Sequence, residues 1–151
     1  MTFLSLLLLI SLLSLLLMLL LILILLDTPE KRIDVCKWLI WANSSLDPIL
    51  FKENERGQVI GTGANTENKK LRVLDNILTN SRYLCGDSFT VADVAVASYL
   101  LYIPQFFGRS VNFNRYPAIA KYMLTCAQRD AYRKAYPTET DSIIDICKSF
   151  Q

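Results

Sequence analysis

A chain of 151 residues has room for one ordinary domain and one appendage. It carries 16 lysines and arginines against 14 aspartates and glutamates, a net charge of +2 spread without blocks, which excludes the concentrated basic face of a nucleic-acid binder. There is no histidine, and Cys36, Cys85, Cys126 and Cys147 form no C-x-x-C pair, so neither a metal centre nor a histidine-based catalytic site is expected and no cofactor is implied. Widely spaced cysteines of this kind read as reduced, structural thiols in a cytosol-like compartment.

The appendage comes first. From Phe3 to Leu26 the sequence is apolar apart from Ser5, Ser11 and Ser14, and every charged residue lies beyond it. As a helix this stretch would extend about 36 Å, enough to cross a hydrocarbon core of about 30 Å with some tilt. Residues 1–26 are therefore expected to form a single transmembrane helix that anchors the chain. A cleavable signal peptide would need a basic start, a shorter apolar run and a small-residue cleavage site, and the segment has none of these. The main competing reading is a misassigned start codon ahead of a pyrimidine-rich untranslated stretch. Lys31 and Arg32, just after the span, favour placing the rest of the chain on the cytosolic or stromal side of its membrane, for instance a thylakoid.

Residues 27–151 read as an all-α bundle of five or six helices. Asp27 to Glu30 supply a helix start, with an acidic or hydroxyl cap and Pro29 in the first turn. Ile33, Cys36, Trp38, Leu39, Ile40 and Trp41 then mark a broad apolar stripe, and Pro48 is expected to break or kink the helix. Residues 52–70 hold three of the five glycines and no sustained periodicity, which predicts a loop or poorly ordered excursion. A helix returns from about Asn65, with Leu71, Leu74, Ile77 and Leu78 on one face. The stretch from Val91 to about Tyr102 carries almost no charge beyond Asp93 and should be the buried centre, ended or bent by Pro104. Pro117 opens another helix with Ile119, Tyr122, Met123 and Cys126 facing inward, and a last amphipathic piece with Ile143, Ile144 and Ile146 begins near Thr138. No clear strand alternation appears.

The densest motif is YLCGDSFTVADVAVASYL, residues 83–100. Thr90 and Asp93 have the T-x-x-D spacing of a capping box, Phe89 and Val94 that of a hydrophobic staple, and Gly86 allows the turn ahead of them. A carboxylate with a capping role available, and with neither a histidine nor a second carboxylate close by, is read as structural rather than as an acid, base or ligand. No catalytic residue is assigned.

RYLCGDSFTVADVAVASYLLYI resembles the central segment of the C-terminal domain of glutathione S-transferases, where a Leu-x-Gly-Asp/Glu turn leads into a Ser/Thr-x-Ala-Asp box opening the buried helix. KRIDVCKWLIWANSSLDPIL resembles the first helix of that domain. RYPAIAKYMLTCAQRDAYRKAY is similar to its Tyr-Pro-x-Ile/Leu-x-x-Tyr/Trp segment, found also in the transferase-like domain of elongation factor 1 gamma and in some aminoacyl-tRNA synthetases. The resemblance covers roughly residues 30–137 and implies an all-α, transferase-like bundle. In the full family a thioredoxin-like domain holds the glutathione through a Ser, Tyr or Cys, a cis-proline and an acidic-Ser pair. None of it is in this sequence, so the resemblance carries over no catalytic residue, and glutathione binding is not expected. Trp38, Trp41 and Tyr99 are left as a candidate half-pocket.

Two functions emerge as expectations. One is a non-catalytic, membrane-anchored accessory subunit whose partners are membrane lipid and other subunits of a membrane complex, photosynthetic or respiratory for example. Phe106, Phe107, Phe113 and Tyr116 are candidate docking aromatics, with a core or loop-packing role as the alternative. The other is a glutathione transferase or ligand-binding fragment whose thioredoxin-like half lies on another chain or is missing. Trp38 and Trp41, as reporters, would distinguish a ligand-carrying module by saturable quenching.

Overall fold

The computed structural model describes residues 28–111 and 113–150. The transmembrane helix expected for residues 1–26 lies outside the described residues. The chain runs through α1 (Pro29–Trp41), a π-helical turn (Ala42–Leu46), α2 (Asp47–Leu50), a ribbon of β1 (Lys52–Glu53) and β2 (Val59–Gly61), α3 (Lys69–Asn80), α4 (Val91–Phe107), α5 (Pro117–Ala127), α6 (Asp130–Ala135) and α7 (Thr140–Lys148). Helix α4 runs through the middle, packed by α1 on one side and by α5 and α7 on the other, while α3 lies against α5.

Local chemistry sets the helix boundaries. Thr28 caps α1 by accepting from the Lys31 N–H, and Pro29 takes a first-turn position where its missing N–H costs nothing. Pro48 does not break the helix. The turn before it widens, the Asp47 N–H reaching back five residues to the Ala42 carbonyl, and the chain re-enters α2 with Pro48 in the first turn, where no donor is needed. The π-turn also keeps Ala42 and Leu46 wholly buried on the same side as Leu50. Helix α3 begins at Lys69 rather than near Asn65 because the Asn68 side chain caps it, accepting from the Lys70 and Leu71 N–H groups. Pro104 does not end α4, which continues to Phe107; the proline removes one N–H near the end, while Ile103 and Pro104 themselves are buried.

The segment expected to be a loop carries a short antiparallel ribbon, with Lys52 opposite Gly61 and Glu53 opposite Val59 across a bulge. Its tip is held by Asn54, whose side chain accepts from the Arg56 and Gln58 N–H groups, each at 3.0 Å. Beyond it, Gly63 sits where a Cβ would stand 2.6 Å from the Ile49 carbonyl oxygen, so only glycine lets this strap lie against α2.

The core is continuous from α1 to α7. Leu71 and Leu74 of α3, Leu100, Leu101 and Ile103 of α4, and Ile119 and Met123 of α5 are almost entirely inaccessible. Val91–Ser110, centred on α4, is the one helical stretch among the described residues long and apolar enough to cross a membrane. Its buried residues include Ala92, Val96, Ala97, Leu100 and Leu101, all within the core cluster of the bundle.

Two of the aromatics named as docking candidates are core residues. Phe113 and Tyr116 are wholly buried, Phe113 against Phe150. The Tyr116 hydroxyl accepts from the Asn68 N–H at 2.8 Å and donates to the Thr66 carbonyl at 3.1 Å, fastening the strap that leads into α3. Phe107 is half-buried, stacked on Phe51, and Phe106 alone of the four is largely exposed. Phe113→Ala should therefore cost about 3 to 5 kcal/mol of stability, and Phe106→Ala less than about 0.5 kcal/mol. Urea unfolding of the two variants followed by tryptophan fluorescence checks the contrast.

Candidate functional site

The T-x-x-D motif folds into a polar centre inside the bundle. Asp93 is fully buried, and its carboxylate takes four hydrogen bonds. Oδ2 accepts from the Thr90 N–H at 2.8 Å and from the Thr90 hydroxyl at 3.1 Å. Oδ1 accepts from the Leu84 N–H and from the Tyr122 hydroxyl, both at 3.0 Å. Thr90 and Asp93 form a capping box at the start of α4, and the Asp93 N–H donates to the Thr90 carbonyl at 3.1 Å. Gly86, at φ 107°, closes the preceding turn onto Tyr83 in a conformation that favours glycine. All four acceptor positions of the carboxylate are thus occupied by the protein itself.

Phe89 and Val94 flank the box and line one cleft of about 280 Å³, together with Tyr102, Arg129, Tyr132 and Tyr136. The Phe89 ring stands edge-on to Tyr83, and the Arg129 guanidinium lies 3.6 Å above its centroid. Burial pushes the Tyr132 hydroxyl up to about 12, with Tyr136 nearby adding to the shift.

The residues of the candidate half-pocket are divided. Trp38 and Trp41 meet edge to face, centroids 5.4 Å apart, and line an open groove of about 500 Å³ between α1 and α3 with Val73, Leu74 and Ile77. Tyr99 does not join them. It lies beside Phe51, and its hydroxyl donates to the Asn43 side-chain oxygen at 2.8 Å, in front of the π-turn. That turn sets where Asn43 points, and its geometry was not readable from spacing alone.

A second buried carboxylate was missed by sequence reasoning. Asp75 of α3 accepts from the Ile119 N–H at 2.9 Å, serving as the N-terminal cap of α5, whose own Tyr116 makes no side-chain cap bond. The partners are 44 residues apart in sequence; the only local sign was an aspartate on the apolar face of α3.

The four thiols form no disulfide, and Cys36 and Cys85 are half-buried. Cys126 and Cys147 are buried, and burial pushes both up to about 12. Cys85 is raised as well, chiefly by burial. All three shifts run opposite to the depressed value of a thiolate nucleophile. Among the described residues no group of three His, Cys, Asp or Glu side chains is placed to hold a metal ion.

A buried carboxylate capping a central apolar helix, with the other helices packed around it, defines a mostly helical bundle domain. Residues 47–130 match the family model of the glutathione S-transferase C-terminal domain, and the chain belongs to that family. Two glutathione S-transferase domain-containing proteins of Dictyostelium discoideum are each 29% identical over 114 residues, covering 70% of this chain and 44% of the relative. A third from the same organism is 27% identical over 130 residues, covering 81% of this chain and 48% of the relative. The chain thus spans about half the length of the curated relatives it matches.

Asp93→Ala should cost about 3 kcal/mol, because it leaves the Leu84 N–H buried without an acceptor and the Tyr122 hydroxyl with only its 3.4 Å bond to the carbonyl of residue 93, at roughly 1 to 3 kcal/mol each. Thr90→Ala should cost about 1 kcal/mol. Urea titrations of both variants measure the difference. A separate expectation concerns alkaline pH. Below pH 9 the thiols of Cys126 and Cys147 are protonated in both folded and unfolded chains; above it the unfolded chain releases its protons first, since the folded groups titrate near 12. Stability should therefore fall as pH rises from about 9 towards 12, and a Cys126→Ala, Cys147→Ala double variant should flatten that slope.

Proposed function

We propose that this transferase-like domain acts as a non-catalytic docking unit, tethered by residues 1–26 to a membrane and presenting its helical surface to other subunits of a membrane complex. The observation that carries the reading is the outer face of α1. Ile33 and Ile40 lie two turns apart on that face, each 67% exposed, with the Lys37–Asp34 ion pair between them, so the helix offers water two large apolar side chains that contribute nothing to the core. Val73 of α3 is also exposed, and Lys31 and Arg32 come just after the apolar segment, as expected for a domain on the reducing, cytosolic or stromal side. The polar centre supports a structural rather than a catalytic interior, since the Asp93 carboxylate is saturated by its own fold.

A second reading has a specific observation in its favour. The relatives named as glutathione S-transferase domain-containing proteins are about twice the matched length, so the domain here corresponds to one part of such a protein. In that reading it supplies the helical half of a transferase whose thioredoxin-like half is elsewhere.

Membrane fractionation and native electrophoresis separate the two. The docking reading expects the full chain to resist alkaline carbonate extraction, to need mild detergent for release, and to migrate in a species well above its own 17.2 kDa. Recovery in the soluble fraction as a lone small species would overturn it. Retention on a glutathione resin with elution by free glutathione would favour the transferase reading instead.

A further inference from the structure

We propose that residues 3–26, when they are not in a bilayer, fold back over the α1–α3 face of their own chain and cover it, and that uptake of this segment by a membrane uncovers the face for docking. The uncovering step rests on the membrane tether proposed above; the contact within the chain does not.

The face is apolar and no other described element closes it. On α1, Ile33, Lys37, Ile40 and Trp41 fall at i, i+4, i+7 and i+8, so the two exposed isoleucines form one lip of the open groove that Trp38 and Trp41 line. Val73 of α3 stands on the opposite wall, 58% exposed, and Ile77 follows one turn later. Ile33, Ile40 and Val73 are three of the seven large apolar side chains exposed among the described residues, so an apolar occupant gains most here.

Position and length identify the occupant. The apolar segment ends at Leu26 and the described residues begin at Thr28, the cap of α1, so the segment is tethered at the head of the face it would cover. Thr28 is extended, at φ −128° and ψ 150°, and the chain therefore leaves the axis of α1 at that residue. Asp27 and Thr28 supply the connection of about two residues that antiparallel helices need. As a helix the segment extends about 36 Å, against about 20 Å for the 13 residues of α1, so it reaches past Trp41. A short tether holds it at a local concentration on the order of millimolar, where a weak apolar contact suffices.

Charge points the same way. The ionisable side chains lining the groove are Lys37, Lys69 and Lys70. Residues 3–26 carry no charge, so their approach sets no like charge against the lysines, whose stems can lie along the segment with the ammonium groups in water. A second copy of this face would bring lysine against lysine. A bilayer surrounds the segment on every side, whereas the groove covers one stripe of it, so a membrane takes the segment when one is present.

The test uses the full chain made by cell-free synthesis without membranes, with p-benzoyl-phenylalanine in place of Val73, an exposed position outside the core. Irradiation should join position 73 to residues within 3–26, located by mass spectrometry, and in an equal mixture of isotopically heavy and light chains each joined product should be wholly heavy or wholly light. The same probe in place of Phe106, exposed and outside the groove, should give at least fivefold less. Ile33→Glu with Ile40→Glu should lower the yield from position 73 at least threefold with an unchanged circular dichroism spectrum. Neutral phosphatidylcholine vesicles should lower it at least fivefold in the chains that float with them. No joining to residues 3–26, equal joining from position 106, mixed heavy and light products, or an unchanged yield in the double variant would each overturn the contact. An unchanged yield in the floated chains would overturn the uncovering step. A chain that never floats would overturn the tether and the uncovering step together, while the crosslink without vesicles still decides the contact.

Discussion

The burial of the Asp93 carboxylate at the start of α4 is the constraint on which the rest of the bundle depends. A carboxylate removed from water is costly unless its lone pairs are all engaged. Here the donors come from three places in the chain: the turn at Leu84, the cap residue Thr90 and Tyr122 of α5. Satisfying one side chain therefore fixes the turn on to the helix, fixes the helix start, and sets how α5 lies across α4. The apolar burial along Val96, Leu100 and Ile103 is non-directional and would tolerate some sliding; the four bonds to Asp93 would not.

Asp75 repeats the device on the other side of α5. The start of that helix has proline at its first position and a tyrosine as cap residue, so nothing local accepts from the Ile119 N–H. The acceptor arrives from α3, and the donor and acceptor thereby tie two helices that are remote in sequence. Helix α5 is thus held twice within its first two turns, by Asp75 at Ile119 and by Asp93 at Tyr122. Buried acids in this fold act as joints between helices.

How much of this could be read from the sequence depends on the range of each interaction. The capping box of α4 and the proline starts of α1 and α5 are local, and residue types three apart are enough to name them. The Asp75 joint is not local, and an aspartate on an apolar face announces a partner without saying which. Phe113 and Tyr116 fall in a stretch without periodicity, where exposure cannot be inferred from spacing; their burial depends on Phe150 and on the strap at Thr66, both far along the chain. The ribbon was hidden for a different reason. Val59 and Ile60 are both exposed, so there is no alternation between a wet and a dry face, and the pairing rests on the Asn54 turn. Tyr99 stands on a different helix from the two tryptophans, and its bond to Asn43 runs across 56 residues of chain, a pairing that a stripe counted at 3.6 residues per turn cannot show.

The family match at residues 47–130 takes in Asp75, Asp93, Tyr122 and the helices they join, while Trp38 and Trp41 precede it on α1. Inside the match, the buried acids hold helices together, and the Cys126 thiol is pushed towards its neutral form by burial. At the groove the balance is reversed: an indole N–H without an acceptor, lysines at the wrong end of a helix dipole, and apolar side chains facing outward. Each is a local cost that the packing elsewhere in the bundle offsets, the Trp38 ring itself being part of the core. The interior of the domain accounts for its fold: directed bonds to two buried acids fix how the helices lie, and apolar burial supplies the bulk of what holds them there.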